Sequence, residues 1–388
     1  SVHIAFFTDT YFPQVSGVAT SIKTLKEELE KNGHDVYIFT TTDPSADDIE
    51  KNIIRMTSIP FVSFKDRRII VRGMWTAYRI AHSLKLDIIH THTEFGVGVL
   101  GKLIGRRLNI PVVHTYHTMY EDYLHYIAKG KIIRPTHVKY LVKTFVNHLS
   151  GVICPSQKVV HTLKKYRVAV PLRVIPTGIQ IKDFESKEIE KNEQAIRSNL
   201  GIDSGKLVLL SLSRLSYEKN IQTIIDQFPQ VVKAFPDVLL VIVGKGPYRK
   251  TLEEKVTNLN LTDYVNFTGE IPHDYVGAYY RTANYFVSAS KSETQGLTYA
   301  EALASETQCI VEGDEYLNAL IDDERLGVTF SKDEDFCDTL IDYIRKGLVM
   351  DVNLKNKKLN EISAQKFSEN VCKFYEEILA NHFDHSLL

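Results

Sequence analysis

Two successive series of short, apolar, β-branched runs dominate this 388-residue sequence, and amphipathic stretches separate the runs from one another. Strand-length apolar runs that alternate with helical patterns are typical of a parallel sheet with helices on both faces. A chain of this length also exceeds one ordinary domain core. The sequence therefore predicts an α/β protein with two doubly wound, Rossmann-like parallel-sheet domains. We expect these domains to face a central cleft, because such sheets bind ligands beyond the carboxyl ends of their strands.

The apolar runs place the strands. In the first half they predict strands at residues 2–8, 36–40, 87–90, 111–114, 151–155 and 173–176. In the second half they predict strands at residues 207–213, 238–243, 265–268, 285–289, 308–311 and 328–330.

Helical spacing between these runs predicts helices in the first half at about 98–108 and 135–149. A further predicted helix precedes these two and has one apolar face. That face comprises Val18, Ile22, Leu25 and Leu29, and Asn32-Gly33 provides the stop. The charged stretch 181–199 is interpreted as an interdomain connection. We therefore expect domains at 1–178 and 179–363, with a C-terminal helix at about 364–388 that can pack back on the first.

Composition excludes several classes of protein. Hydrophobic residues make up 44% and charged residues 24%, which is ordinary for a globular chain and excludes disorder and coiled coil. No apolar run reaches the roughly 18 residues needed to span a bilayer, and no signal peptide is visible. The four cysteines lie far apart without a CxxC pair, so we expect reduced cytosolic thiols rather than a zinc knuckle or disulfide framework.

The formal net charge of −1 hides an asymmetry between the two halves. Residues 1–180 contain 24 Lys and Arg against 14 Asp and Glu, whereas residues 181–388 contain 23 against 34. A basic half predicts an anionic partner, although chance clustering of solvated charge is the alternative. The acidic second half and the absence of a nucleic-acid-binding module disfavour nucleic acid as that partner.

Three loops follow predicted strands and could bind parts of a ligand, two of them phosphate. Gly17 stands where a loop meets a helix, so backbone N–H groups are available there, although a tight turn is equally compatible. The loop contains no GxGxxG, which disfavours NAD. Arg214 and Lys219 follow a second-half strand and could neutralise a diphosphate leaving group, or be ordinary surface charges. Gly244-Lys245-Gly246-Pro247 after the next strand permits close backbone approach to a flat ligand, or forms a turn.

The most informative segment is Ser290–Ala304, which begins directly after a strand. Glu293 lies in the loop before a helix, and Glu301 follows eight positions later on that helix. The N–H groups of Gln295, Gly296 and Leu297 are expected at the helix mouth, where they can meet an anion or hydroxyls. Two carboxylates at such an edge suit the vicinal hydroxyls of a sugar and a ribose.

These motifs, together with Pro176-Thr177-Gly178-Ile179 and Phe267-Thr268-Gly269, occur in an order that resembles glycosyltransferase family 4, retaining enzymes of GT-B fold. The resemblance covers nearly the whole chain. Phe7–Ser21 and His114–Tyr123 are similar to the corresponding segments of the bacterial diacylglycerol α-glucosyltransferases of this family, which begin glycolipid (lipoteichoic acid) anchor synthesis.

The resemblance implies a retaining hexosyl transfer from UDP-glucose to the 3-hydroxyl of 1,2-diacylglycerol. It implies catalytic roles for His117 over the donor sugar and for Glu293 at the sugar hydroxyls. The residues that it implies for donor binding are Gly17, Arg214, Lys219, Gly246, Ile271, Gln295, Gly296, Leu297, Thr298 and Glu301. No DxD follows a plausible donor-site strand, so no metal is expected to be obligatory, with Mg²⁺ at most stimulatory.

Two positions depart from the family pattern. Ser16 stands where many relatives have a first glycine, and Glu306 stands where the family usually has glycine after the E-x7-E helix. Because glutamate adopts a left-handed helix cap less readily than glycine does, we expect an altered loop there.

A membrane surface is the predicted anionic partner. No Asp or Glu occurs from Tyr123 through Lys182, a stretch that contains eleven Lys and Arg with interleaved aromatic residues. Basic and aromatic side chains together suit an anionic lipid surface, at about 1 kcal/mol per cation, and we expect peripheral attachment to the inner face of the cell membrane. The predicted membrane and acceptor residues are Lys65, Arg67, Arg68, Trp75, Tyr120, Tyr123, Lys129, Lys131 and Arg134.

Other functions are also compatible with the sequence. The same fold could use another nucleotide-hexose, a soluble acceptor or an already glycosylated lipid. A non-catalytic GT-B partner subunit and a nucleotide-sugar epimerase of the same shape are weaker alternatives.

Overall fold

We analysed a computed structural model of the protein, which describes residues 1–13, 17–43, 46, 50–56, 67–117, 135–291 and 297–386. These residues form two compact units. The first unit contains the described residues within 1–117, Pro135–Gly178 and the C-terminal segment from Ala364. The second unit is Ile179–Ser363.

The first unit is built on a parallel sheet of seven described strands. They are β1 (His3–Phe7), β2 (Asp35–Thr41), β3 (Ile53–Met56), β4 (Ile88–Thr91), β5 (Val112–Thr115), β6 (Gly151–Cys154) and β7 (Leu172–Val174). Their order in the sheet is β3-β2-β1-β4-β5-β6-β7, and every pair is parallel. Residues of β4, β5 and β6 are buried throughout, as expected for strands covered on both faces.

Helices cover this sheet. They are α1 (Gly17–Lys31), α2 (Arg67–Ser83), α3 (Gly96–Leu108), α4 (Pro135–Val146), α5 (Gln157–Lys165) and the C-terminal helix α14 (Ala364–Ser386). The predicted apolar face of α1 is confirmed, because Ile22, Leu25 and Leu29 are fully buried. The predicted stop is confirmed too, since α1 ends just before Gly33, which adopts φ +86°.

The second unit contains a parallel sheet of six described strands. They are β8 (Leu207–Leu212), β9 (Val238–Val243), β10 (Val265–Gly269), β11 (Tyr285–Ser288), β12 (Gln308–Glu312) and β13 (Gly327–Phe330), in the order β10-β9-β8-β11-β12-β13. Its helices are α6 (Lys187–Asn199), α7 (Ile221–Ala234), α8 (Arg249–Asn258), α9 (Val276–Thr282), α10 (Leu297–Ala304), α11 (Glu315–Leu320), α12 (Phe336–Lys346) and α13 (Val352–Glu361). Short 3-10 helices lie at Ile181–Phe184, Tyr217–Lys219, Thr262–Tyr264, His273–Tyr275 and Asp333–Asp335.

The stretch interpreted as an interdomain connection is instead a structural part of the second unit. Residues 187–199 form α6, and its two buried isoleucines, Ile189 and Ile196, pack against Ala278 of α9. Two apolar residues seven positions apart lie on one helix face, which is sufficient to attach an otherwise charged helix. The interpretation of this stretch as a linker was therefore wrong.

Three elements of the first unit were not predicted, namely strand β3 and helices α2 and α5. Strand β3 pairs with β2 at the edge of the sheet, and its four residues are only half-buried. Arg55 within it donates to the Thr41 carbonyl at 3.0 Å and to the Phe12 carbonyl at 2.6 Å, and it bonds Glu50 at 2.8 Å. The other two elements are helices, and no helical pattern was assigned to their residues from the sequence.

The C-terminal helix α14 closes the core of the first unit. Val371, Phe374 and Tyr375 are buried in one apolar cluster with Ile4 of β1 and Ile22 of α1. The helix therefore belongs to the first unit even though the whole second unit precedes it in the chain.

The left-handed conformation at the departure from the family pattern does occur. Glu306 has φ +62° directly after α10, and its N–H bonds the Leu303 carbonyl at 3.0 Å. Its carboxylate pairs with the Lys355 ammonium at 3.0 Å, and the Lys355 side chain is only 5% exposed. The expectation of an altered loop was thus wrong for the described backbone: the glutamate takes the glycine-like conformation and gains an ionic partner.

Each sheet has a topological switch point, where the connections leave adjacent strands in opposite directions. In the first unit it lies between β1 and β4, and in the second unit between β8 and β11. Ligands of open α/β sheets bind at the carboxyl ends of strands at such points. The residues at each of these two places are therefore the candidate functional residues of their own unit.

Candidate active site

At the switch point of the first unit, Asp9 organises the loops that follow β1 and β4. One carboxylate oxygen accepts the Val97 N–H at 2.9 Å, at the start of α3, and the other accepts a short hydrogen bond from the Thr93 hydroxyl. The Asp9 N–H in turn donates to the Thr93 hydroxyl oxygen at 3.0 Å. These bonds satisfy free N–H groups at the helix start and fix the two loops against each other.

The loop after β4 passes so close to α3 that a side chain could not be placed between them. A Cβ on Gly98 would lie 1.7 Å from the Thr93 carbonyl oxygen, which is a severe clash. Glycine is therefore required at this position by backbone proximity.

His117 follows β5 and lies beside His92, which follows β4. Nε2 of His117 and Nδ1 of His92 are hydrogen-bonded at 3.0 Å. The His92 ring also stacks on His90 with a centroid separation of 4.1 Å, and Phe6 packs edge-on against it at 4.8 Å. Both histidines of the pair are buried. The ring of His92 is thus held from three sides.

A second set of buried polar contacts lies at the same edge of the sheet. His114 bonds Glu94 through Nε2 at 2.8 Å and Thr91 through Nδ1 at 2.7 Å. His90 bonds the Thr115 hydroxyl at 2.6 Å and also contacts the hydroxyl of Tyr375 on α14. The hydrogen bonds therefore form two buried polar sets, one centred on His114 and the other on His90.

Burial keeps three of these histidines, His90, His92 and His117, neutral. Desolvation by burial lowers the pKa of His117 to about 3, with a further contribution from His114. Desolvation also holds the pKa values of His90 and His92 well below the usual range, reinforced by the neighbouring histidines. His117 therefore acts as a neutral hydrogen-bonding group rather than as a cation.

In the second unit, β8 leads into the loop that carries Arg214 and Lys219. Lys219 ends a 3-10 turn, and Asn220 then adopts φ +55° at the start of α7. The Asn220 side chain bonds the Ala289 carbonyl after β11 at 3.0 Å and Asp333 at 3.1 Å. This residue ties the Lys219 loop to the neighbouring strand. Arg214 is exposed.

The structure brings Lys219 and Thr298 to one small recess at the switch point. The recess is lined by Ser211, Leu212 and Ser213 at the end of β8, by Ser288 at the end of β11, and by Lys219, Ile224, Phe286, Val287 and Thr298. An ammonium group, several hydroxyls and the first turn of α10 thus share one location. Helix N-termini and Lys favour phosphate oxygens.

Gly246 has a structural explanation in the loop after β9. A Cβ on this residue would lie 2.1 Å from the Leu215 carbonyl oxygen, because the loops after β8 and β9 are packed backbone to backbone. The Leu215 N–H bonds the Lys245 carbonyl at 2.9 Å, and the Tyr248 N–H bonds the Leu215 carbonyl at 2.9 Å. Ile271, after β10, is partly buried against the core.

Glu301 lies on α10, one turn beyond Leu297 and Thr298. Desolvation by burial raises its pKa to about 7, and the Tyr280 hydroxyl opposes this shift. Leu297 itself is buried in the core, so any contact of this residue with a ligand runs through its backbone.

A second perturbed acid, Glu312, ends β12. Burial raises its pKa to about 7, although Lys291, at 3.6 Å, opposes the shift. Lys291 also pairs with Asp333 at 3.5 Å. The sequence did not predict this cluster, because its members lie at or just after the ends of three different strands.

Several predicted site residues lie outside the described residues. They are Glu293, Gln295, Gly296, Lys65, Tyr120, Tyr123, Lys129, Lys131 and Arg134. Gly17 is described and exposed at the start of α1. Arg67 and Arg68 lie in the first turn of α2.

The surface of the first unit carries exposed aromatic residues. Trp75 on α2 is 61% exposed and stacks on Tyr78 at 5.7 Å, and Tyr140 on α4 is 73% exposed. Among the described helices, none combines the length and the hydropathy needed to cross a bilayer. No group of three acidic, His or Cys side chains in the described part of the chain could hold a metal ion.

The sequence patterns did not predict roles for Asp9, His92, Thr93 and Glu94. The available signal was the His90-Thr91-His92 alternation at a strand end, because alternate residues of a strand share a face. The partners of these residues follow other strands and only the topology brings them together.

Comparisons with known proteins identify the class of protein to which this chain belongs. Residues 15–183 match the family described as Glycosyltransferase Family 4, and residues 192–364 match Glycosyl transferases group 1. Among solved structures, a sucrose-phosphate synthase from Thermosynechococcus elongatus has a TM-score of 0.76 at 23% identity, covering 98% of this chain and 100% of its own. Anabaena HepE in complex with UDP and glucose has a TM-score of 0.76 at 17% identity, covering 97% and 100%. These two structures define the fold, which is GT-B.

Curated relatives narrow the class to a family. The alpha-monoglucosyldiacylglycerol synthase of Streptococcus pneumoniae is 51% identical over 389 residues, covering 100% of this chain and 88% of the relative. The protein of the same name from Acholeplasma laidlawii is 33% identical, covering 95% and 94%. The chain belongs to glycosyltransferase family 4 and is a hexosyltransferase.

Proposed function

We propose that the protein transfers glucose from UDP-glucose to the 3-hydroxyl of 1,2-diacylglycerol, with retention of the α configuration, at an anionic membrane surface. The observation that carries this proposal is the 51% identity, over the full chain, to a protein named alpha-monoglucosyldiacylglycerol synthase. HepE, which shares the fold, was solved with UDP and glucose, which supports a uridine nucleotide as donor.

The second unit is proposed to hold the donor. Lys219 and Arg214 would neutralise the diphosphate, with help from the first turn of α10. Glu301 would accept hydrogen bonds from the ribose hydroxyls, and Glu293 from the hydroxyls of the transferred glucose. Gly246 and Ile271 would present backbone to the base. Lys219 and Thr298 already line one recess, which supports a common ligand for both.

The proposed reaction is a front-face displacement. The bond between the anomeric carbon and the β-phosphate oxygen breaks, and the bond from that carbon to the acceptor oxygen forms on the same face. The acceptor proton passes to the departing phosphate oxygen, so the products are α-glucosyldiacylglycerol and UDP. His117 is neutral at physiological pH and would act by hydrogen bonding near the reacting carbon, not as a cation. Arg214 and Lys219 would stabilise the charge that develops on the diphosphate.

The first unit is proposed to meet the lipid. It holds the positive excess of the sequence, and Trp75 and Tyr140 are among its exposed aromatic side chains. Aromatic and basic side chains together favour the interface of an anionic leaflet. In the cell this would be the inner face of the membrane.

Product formation tests the reaction. The purified chain would be incubated with UDP-glucose or UDP-galactose and with diacylglycerol, monoglucosyldiacylglycerol or a soluble sugar, in anionic micelles. We expect a glucolipid from UDP-glucose and diacylglycerol only. Product with the soluble sugar, or only with the glycosylated lipid, would refute the assigned acceptor, and free hexose isomers with donor alone would indicate an epimerase.

Trp75 provides a direct test of membrane attachment, because it is the one tryptophan of the sequence. Its emission should shift to shorter wavelength with vesicles rich in phosphatidylglycerol, and the shift should weaken with added salt, since surface charge attraction is screened. Vesicles of phosphatidylcholine alone are the control. An unchanged spectrum, with the protein left in the supernatant after vesicle sedimentation, would contradict the attachment.

A further inference from the structure

The surroundings of His92 indicate which ring nitrogen of His117 is protonated, which bears on the proposed role of His117. His92 is 3% exposed and His117 is 5% exposed, and their rings lie with centroids 5.3 Å apart. The bond between Nδ1 of His92 and Nε2 of His117 measures 3.0 Å. Phe6 and His90 fix the His92 ring, so this bond has one geometry available.

A hydrogen bond between two neutral imidazoles requires one proton between the two nitrogens. Two arrangements satisfy this requirement. Either Nδ1–H of His92 donates to Nε2 of His117, or Nε2–H of His117 donates to Nδ1 of His92. The second arrangement places the proton of His92 on its own Nε2.

The other nitrogen of His92 distinguishes these arrangements. Nε2 of His92 is buried and has no hydrogen-bond partner among the residues that the structure describes. A buried N–H group without a partner is rarer, and costs more, than a buried acceptor without one. The proton of His92 therefore belongs on Nδ1, where it is used. His117 then accepts at Nε2, and its own proton is on Nδ1.

We propose that His92 is a positioning residue: it holds His117 as the neutral tautomer protonated on Nδ1, so that His117 offers a hydrogen-bond donor to the transferred sugar. The assignment of the sugar to His117 rests on the proposed function, whereas the pairing of the two rings does not. His92 has no proposed contact with the substrate and acts through His117 alone.

Nitrogen-15 NMR of the full chain with ring-labelled histidine tests the pairing without any activity measurement. Long-range proton–nitrogen correlations distinguish the two tautomers, and the His117 signals are assigned by their loss in His117→Gln. We expect Nδ1 of His117 to carry the proton in the wild-type chain, and to lose that preference in His92→Phe. Protonation of His117 on Nε2 in the wild-type chain would overturn the inference, whether or not the protein is active.

Kinetics test the consequence. His92→Phe keeps an aromatic ring but no donor, so kcat should fall about tenfold or more, with KM for UDP-glucose changed less than about threefold. His92→Asn restores an N–H near the Nδ1 position and should recover most of that loss. His161→Phe, an exposed histidine on α5, is the matched control. A His92→Phe chain that melts like the wild type and keeps its kcat would refute the positioning role.

Two outcomes separate this inference from the proposed function. If His117→Ala leaves lipid glucosylation intact, the proposed role of His117 fails even if the tautomer is as expected. If His117→Ala abolishes transfer while His92→Phe and His92→Asn lose activity equally, His117 keeps its role and the positioning by His92 fails.

Discussion

Glu301 should lower the free energy of unfolding at high pH and, at the same time, support donor binding. Burial raises the pKa of this carboxyl from 4.5 to about 7, so the folded chain prefers the protonated acid. Between these two values the unfolded chain has released the proton and the folded chain retains it, so the free energy of unfolding falls as pH rises. At 1.36 kcal/mol per pKa unit, the free energy of unfolding is lowered by about 3 kcal/mol in full. This loss is complete above pH 7 and absent below pH 4.5.

Glu301→Gln mimics the protonated acid without the titration. We expect urea unfolding to show equal stability of variant and wild type near pH 4, and a variant more stable by up to about 3 kcal/mol at pH 8. The exposed Glu254→Gln on α8 is the matched control and should change neither value. Glu312 has a similar raised pKa, so the variant should retain part of the wild-type decline with pH.

The same substitution should weaken the donor. Ribose hydroxyls bond a carboxylate more strongly than an amide, by about 1–2 kcal/mol, so the Kd for UDP measured by calorimetry at pH 8 should rise roughly tenfold. A Glu301→Gln chain that is less stable than wild type at pH 8, or that binds UDP equally well, would refute the reasoning.

Three further predictions follow from the second unit. Lys219→Ala should lower kcat/KM by about 100-fold or more, because a positive charge is lost at the diphosphate. Lys250→Ala on α8 is the control and should leave kcat/KM unchanged. Equal kcat/KM values for the two variants would contradict the assignment of Lys219 to the donor diphosphate. Glu306→Gly should relieve the left-handed strain by about 1 kcal/mol yet leave the buried Lys355 without its partner, so urea unfolding should show a net loss of stability of about 1 kcal/mol. Adding Lys355→Met to Glu306→Gly should reverse this loss. A Glu306→Gly variant more stable than the wild type would show that the ion pair contributes little to stability. Removal of divalent cations with EDTA should leave at least about half of the activity, because protein cations are assigned to the diphosphate; complete loss that Mg²⁺ restores would show a required metal.

Much of the fold could be predicted from the sequence because its strands are continuous apolar runs. Strands β8 and β9 are buried almost throughout, and such runs signal a covered parallel sheet directly. Strand β3 gave no such signal, since it is a half-buried edge strand of four residues with Arg55 inside it. Helix α6 was interpreted as a linker because it buries few apolar residues, Ile189 and Ile196, in an otherwise charged sequence.

The candidate site was predictable only where one loop carries its own motif. Lys219 and Thr298 stand in recognisable strand–loop–helix segments, and the structure brings them to one recess. The pairing of His92 with His117 was not predictable, because it joins the ends of two adjacent strands 25 residues apart in sequence. At Glu306 a local preference was overruled by a contact distant in the sequence. Glutamate disfavours φ +62°, but the ion pair with Lys355 compensates for this cost.

The anomeric configuration of the lipid product tests the central claim most directly. Proton NMR of the glycolipid made from UDP-glucose and diacylglycerol by the wild-type chain should show an α-linked glucose on the 3-hydroxyl, formed with retention from the α-linked donor. A β-linked product, or a reaction in which UDP-glucose is consumed and no glycolipid appears, would contradict the account.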